Sequence, residues 1–179
     1  MNAPIDWQDF AEMTGAASGA LTGLLFVAVS LNATRIAGHR GLRASAAQTL
    51  VMFLVPLAMA MALLSPGQAD WALGGELIAA GVIAGIILVN IATIKRALGD
   101  DDRRLISIFN RKTASLSVTL MFVASGSVVA CGVADGLYLL LPASLVAFVT
   151  GVLNAWYFLL PPPPEARPAR KREEEEARD

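Results

Sequence analysis

Residues 113–160 read TASLSVTLMFVASGSVVACGVADGLYLLLPASLVAFVTGVLNAWYFLL, and Asp135 is their only charged side chain. A helix advances about 1.5 Å per residue and the hydrocarbon layer of a bilayer is about 30 Å thick, so roughly 20 residues cross it once. This stretch is too long for a single crossing and must fold back on itself. Lipid offers nothing to satisfy a bent backbone, so the reversal belongs at the one polar interruption, ADGLY at 134–138. With Asp135 and Gly136 read as the turn, two spans follow, about Thr113 to Val133 and about Leu139 to Leu160.

Working outward, three more uncharged runs have crossing length: Thr14 to about Thr34, with helix starting earlier near Trp7, about Ser45 to Leu64, and Leu73 to Ile94. The whole chain of 179 residues is 55% hydrophobic and only 16% charged, with a mean hydropathy of +0.58. Those values exclude an ordinary soluble fold and an intrinsically disordered chain. The expectation is an all-α, polytopic membrane helix bundle of five spans over residues 1–160. A tail over 161–179 follows, stopped by Pro161 to Pro164 and mixed in charge. The longer connection KRALGDDDRRLISIFNRK is expected to form a brief interfacial helix through Leu105, Ile106, Ile108 and Phe109.

Charge fixes an expected orientation. Asp6, Asp9 and Glu12 precede the first span, Asp70 and Glu76 flank the start of the third, and Asp135 lies between the fourth and fifth. All 14 basic residues fall on the other side: Arg35, Arg40 and Arg43, then the second connection from Lys95 to Lys112, then the tail. Lysine and arginine are retained on the cytoplasmic face, so the N-terminus is expected outside and the C-terminus inside. The acidic leader is also unlike the basic start of a secretory signal, so the first span is expected to be retained. Trp7, Trp71 and Tyr138 near one boundary and Trp156 and Tyr157 near the other read as interfacial anchors.

Within the spans the strongest pattern is Gly15, Gly19 and Gly23, four residues apart, with Ser30 further along the same face. Glycines at that spacing let another helix approach closely, either within one bundle or between copies. Gly81 with Gly85, and Gly126 beside Ser125 and Ser127, are weaker echoes. Thr14, Ser18 and Thr22 form a neighbouring hydroxyl stripe, read as bonding to the preceding turn or as lining a polar pathway. Pro56 should bend the second span. Asn32, Asn90 and Asn154 recur toward the same ends of three parallel spans, where amides tie helices together or offer oxygens to a partly dehydrated ion.

The stretch GAASGALTGLLFVAVSLNATRI resembles the opening span of small uncharacterised multispan integral membrane proteins of high-GC (actinobacterial) bacteria. The resemblance implies a bacterial cytoplasmic membrane protein with several helical spans. It covers this span and the general hydropathy of the rest, and it implies no catalytic residue.

Enzymatic chemistry is not expected. His39 lies in AGHRG without a carboxylate partner, and Cys131 sits in an apolar run as a packing residue, so no metal set, triad, phosphate loop or cofactor motif is formed. No ionisable residue falls at a span centre, against a proton pump. Expected partners are anionic headgroups on the cytoplasmic side, a second copy, or a membrane or cytoplasmic protein, with no nucleic acid. Two functions fit: a structural, accessory or regulatory membrane component, and a small oligomeric cation-conducting channel. In the channel, Asp70, Glu76 and Asp135 would form an acidic outer mouth and Asn32, Asn90 and Asn154 an inner ring.

Overall fold

Uncharged runs without backbone partners in lipid satisfy their own N–H and C=O groups by coiling. In a computed structural model, which describes residues 5–97 and 111–159, they do so throughout. The elements are α1 (Ile5–Leu31), α2 (Ala33–Gly38), α3 (Arg40–Leu63), α4 (Asp70–Ala97), α5 (Arg111–Ala130), a 3-10 turn (Ala134–Leu139) and α6 (Leu140–Leu159), with no strand among the described residues. Helix over Trp7–Leu31, Arg40–Leu63, Asp70–Ile94 and Asp135–Trp156 is long and apolar enough to cross a membrane, whereas the apolar part of α5, Leu116–Ala130, is shorter. The interfacial helix expected around Leu105 to Phe109 and the tail over 161–179 lie outside the described residues.

Helices α3, α4, α5 and α6 close a ring, each packed on the next and α6 back on α3. Helix α1 lies outside that ring, against α3 with a smaller contact on α6. The core runs through Met52, Met59, Leu77, Phe122, Leu140 and Ala147. A second apolar patch, Leu25 and Phe53 with Leu21 and Phe148 against them, joins α1 to α3 and α6. Proline 56 is buried inside α3, which stays helical on both sides of it.

The tightest packing is between α4 and α5, where glycines bring the two backbones together. A methyl group built on Gly74 would lie 2.5 Å from the Gly126 carbonyl oxygen, and one on Gly126 would lie 2.7 Å from the Gly74 carbonyl oxygen. On Gly85 it would lie 2.7 Å from Thr119 Cγ2. The glycines read as weak echoes in the sequence are thus close-contact positions. Of the leading trio, a methyl group on Gly15 would lie 3.2 Å from Ala60 Cβ of α3, while one on Gly19 or Gly23 would meet nothing within 4 Å, and Ser30 is exposed.

Two connections differ from expectation. The reversal after α5 is made by Gly132, not by Asp135 and Gly136. Gly132 has φ +82, its N–H reaches the Val129 carbonyl at 2.8 Å, and the Val133 N–H reaches the Val128 carbonyl at 3.2 Å. This paired cap needs a left-handed residue, which glycine adopts without a Cβ clash. Asp135 and Gly136 follow in the 3-10 turn, which folds back on α5: Ser125 Oγ donates to the Gly136 carbonyl at 2.8 Å. The connection between the first two expected spans, from about Thr34 to Ser45, is mostly helical. Only His39 is extended, between α2 and α3, with Nδ1 2.9 Å from the Arg35 carbonyl oxygen.

Trp7 is 8% exposed, packed edge-on against Tyr138 at 5.1 Å and Phe10 at 5.7 Å, and so belongs to the core rather than to a headgroup belt. Trp71, Tyr138 and Trp156 are exposed. Cys131, expected to be packed, is also exposed, because α5 ends just before it.

Candidate functional site

The antiparallel order sorts the charges by end. The Trp7–Tyr138 contact and the approach of Gly74 to Ala130 put the start of α1, the start of α4 and the α5–α6 connection together. Glu12, Glu76 and Asp135 are exposed and Asp70 is half-buried, all toward that end. Arg40 and Arg43, exposed, and Arg35, half-buried, belong to the opposite end. The acidic side chains are separated along α1, α4 and the 3-10 turn, sharing an end of the bundle.

The three asparagines do different things. Asn32 closes α1, its Nδ2 donating to the Ala28 carbonyl at 3.0 Å. Asn90 is exposed on α4, and its main-chain carbonyl oxygen accepts from Thr93 Oγ1 at 2.7 Å. Asn154 on α6, only 3% exposed, crosses to α3 and donates to the Ser45 carbonyl at 2.8 Å and to Thr49 Oγ1. Thr49 in turn donates to the same Ser45 carbonyl at 3.0 Å, giving a compact polar joint between the two helices. With Asn90 exposed, Asn32 bonded within its own helix and Asn154 buried against α3, the three amides do not form a ring.

Asn154 is therefore expected to act as an interhelical tie. Asn154→Leu should lower stability by about 1–2 kcal/mol, the scale of interhelical hydrogen bonds in apolar surroundings. The check is reversible unfolding in mixed micelles. A variant as stable as the wild type would show that the joint contributes nothing.

The hydroxyl stripe of α1 lies on its packed side. Thr14 and Ser18 are buried and Thr22 is half-buried, facing the α3–α6 side beside Trp7, Ala11 and Leu25. The expected bond to the preceding turn is not made by Ser18 Oγ or Thr22 Oγ1, which have no hydrogen-bond partner. Thr150 Oγ1 and Asn154 Oδ1 on α6 are likewise buried without one.

The opposite side of α1 is open. Ala16, Ala20, Gly19 and Gly23 are exposed there, with Glu12 at one end and Ser30 at the other. Of the most apolar stretch of α1 only 17% is buried, against 56% for α3. Large side chains are exposed on α1 as well, at Met13, Leu24, Phe26, Val27 and Leu31, and on α4, including Val82, Ile83, Ile86 and Val89. Between Met13 and Leu24 the open side of this peripheral helix is a strip of small residues, of which the sequence indicated Gly19 and Gly23 without showing which way they face.

Among the described residues no three histidine, cysteine or acidic side chains are grouped to hold a metal ion. Comparison with protein-family models, with curated proteins and with solved structures finds no match to this chain.

Proposed function

We propose that this chain is a five-span protein of a bacterial cytoplasmic membrane, N-terminus outside and C-terminus inside. In this reading it serves as a structural, accessory or regulatory component that works by helix contact. The observation that carries the reading is α1, a helix of crossing length packed on one side only, with Ala16, Gly19, Ala20 and Gly23 on the other. Lipid is as apolar as a leucine side chain, so helices in a bilayer associate where small residues allow close van der Waals contact. A strip repeating every four residues is self-complementary, so a second copy related by a two-fold axis is the partner it fits.

The orientation rests on the end-to-end charge sorting, which places Arg35, Arg40 and Arg43 opposite Glu12, Glu76 and Asp135. A conducting pathway draws less support, because Asn90 faces outward, Asn32 bonds within its own helix and Asn154 is committed to α3.

The test is energy transfer between donor- and acceptor-labelled copies in proteoliposomes, followed as lipid dilutes the protein. Joint replacement Gly19→Leu and Gly23→Leu should weaken association by about tenfold, roughly 1.4 kcal/mol, with unfolding of the single chain unchanged because neither position touches another part of it. Equal transfer in variant and wild type would remove the proposal.

A further inference from the structure

Two buried oxygens one turn apart on α6 have no protein partner: Thr150 Oγ1 and Asn154 Oδ1. The residues are 7% and 3% exposed, so bulk solvent does not serve them. Both amide protons of Asn154 are already committed to the Ser45 carbonyl and Thr49 Oγ1, which fixes its carbonyl oxygen pointing away from that joint. Thr150 does not bond to its own preceding turn, as Thr49 does. An unmet buried polar atom is costly, and here two of them share neighbouring positions on one helix face.

We infer that Thr150 and Asn154 hold an ordered water molecule inside the α3–α6 contact. Side chains four apart on a helix are neighbours, with Cβ atoms about 5–6 Å from each other, close enough for one water to reach polar atoms on both. The water donates to Asn154 Oδ1, and Thr150 Oγ1 donates to or accepts from it. Two neutral oxygens satisfy a water, whereas a dehydrated cation requires a fuller oxygen shell. The water extends the Asn154 joint by one helical turn, toward the place where the Phe53 ring lies against Gly151. It adds a bound ligand to the bundle interior and stands apart from the α1 surface and its role.

The register supplies a reporter. Asn154 meets Thr49 and Gly151 meets Phe53, so Met52 of α3 lies at the level of the site, while Met59 lies further along, its sulfur accepting from Ser144 Oγ at 3.7 Å. Both methionines are buried and make a matched pair. Radiolytic labelling of the full chain in nanodiscs, in water enriched in the heavy oxygen isotope, converts bound water into radicals that oxidise adjacent side chains. Met52 should acquire label several-fold faster than Met59. Thr150→Val should bring Met52 down to the Met59 rate, and Thr150→Ser should keep the difference. Equal rates in the wild type, or a difference that survives Thr150→Val, would overturn the inference. A variant that fails to fold is recognised because Met59 and Phe122, also fully buried, then label quickly, and the wild-type comparison then decides alone.

Discussion

Gly126→Ala is expected to destabilise the bundle by about 1–3 kcal/mol, the usual scale of overpacking, even though alanine favours helix by up to about 1 kcal/mol. The added methyl would lie 2.7 Å from the Gly74 carbonyl oxygen and 2.9 Å from the Ile78 backbone nitrogen. Backbone atoms of α4 cannot swing aside as a side-chain tip does, so the two helices must separate along their length. That separation also draws apart Gly81 and the Val123 side chain, whose Cγ2 is 3.0 Å from the position of a methyl there. Gly75→Ala is the matched control, because nothing lies within 4 Å of that position. It should be neutral or slightly stabilising. Denaturant unfolding of the two variants side by side checks this, and equal stabilities would show that α4 and α5 are not in backbone contact.

Gly151→Ala is expected to cost a similar amount, about 1–3 kcal/mol, through a different neighbour. Here the obstacle is the Phe53 ring, buried between α1, α3 and α6, and it comes closer to the position of a methyl than any other side chain does to a glycine. Because a side chain is the obstacle, a second substitution should relieve it. Phe53→Leu alone removes packing and should destabilise, yet combined with Gly151→Ala the two costs should fall well short of adding. A double-mutant cycle on unfolding free energy measures that shortfall. Strict additivity would place Phe53 away from Gly151.

The helices were legible in the sequence because a crossing requires length without charge, and both properties are local. Thus α3 and α4 extend only a few residues beyond the runs Ser45 to Leu64 and Leu73 to Ile94. Which way each helix faces was less legible. In a soluble protein a polar face marks the outside, but lipid and bundle interior are equally apolar. The regular spacing of Gly15, Gly19 and Gly23 made α1 look like the closely packed helix, yet only Gly15 meets another helix of the chain. Gly74 and Gly126, with the weaker pair Gly81 and Gly85, carry the close approach, since each is defined by what the partner helix offers opposite it.

The polar residues divide in the same way. That the Asn154 amide would find a partner inside the bundle followed from the cost of an amide in lipid. That its partners are the Ser45 carbonyl and Thr49 depended on the α3–α6 register, set by contacts such as Gly151 with Phe53. The turn at Gly132 rather than Gly136 was missed because Gly132 lies just before the polar interruption, between the apolar Cys131 and Val133. Only the positive φ at Gly132 distinguishes them. Trp7 likewise has the position of an anchor in sequence, but Tyr138 arrives from a distant connection to cover it.

The most direct test of the proposed role is a single-cysteine scan along α1 in a Cys131→Ser background, with oxidative cross-linking in native membranes. Cysteines at 16, 19, 20, 23 and 27 sample its open side and those at 18 and 25 its packed side. Contact between copies through α1 predicts covalent dimers at the first set, rising and falling with the helical period, and none at the second. Cross-linking at neither set, or equally at both, would contradict the proposal that this helix joins one copy to another.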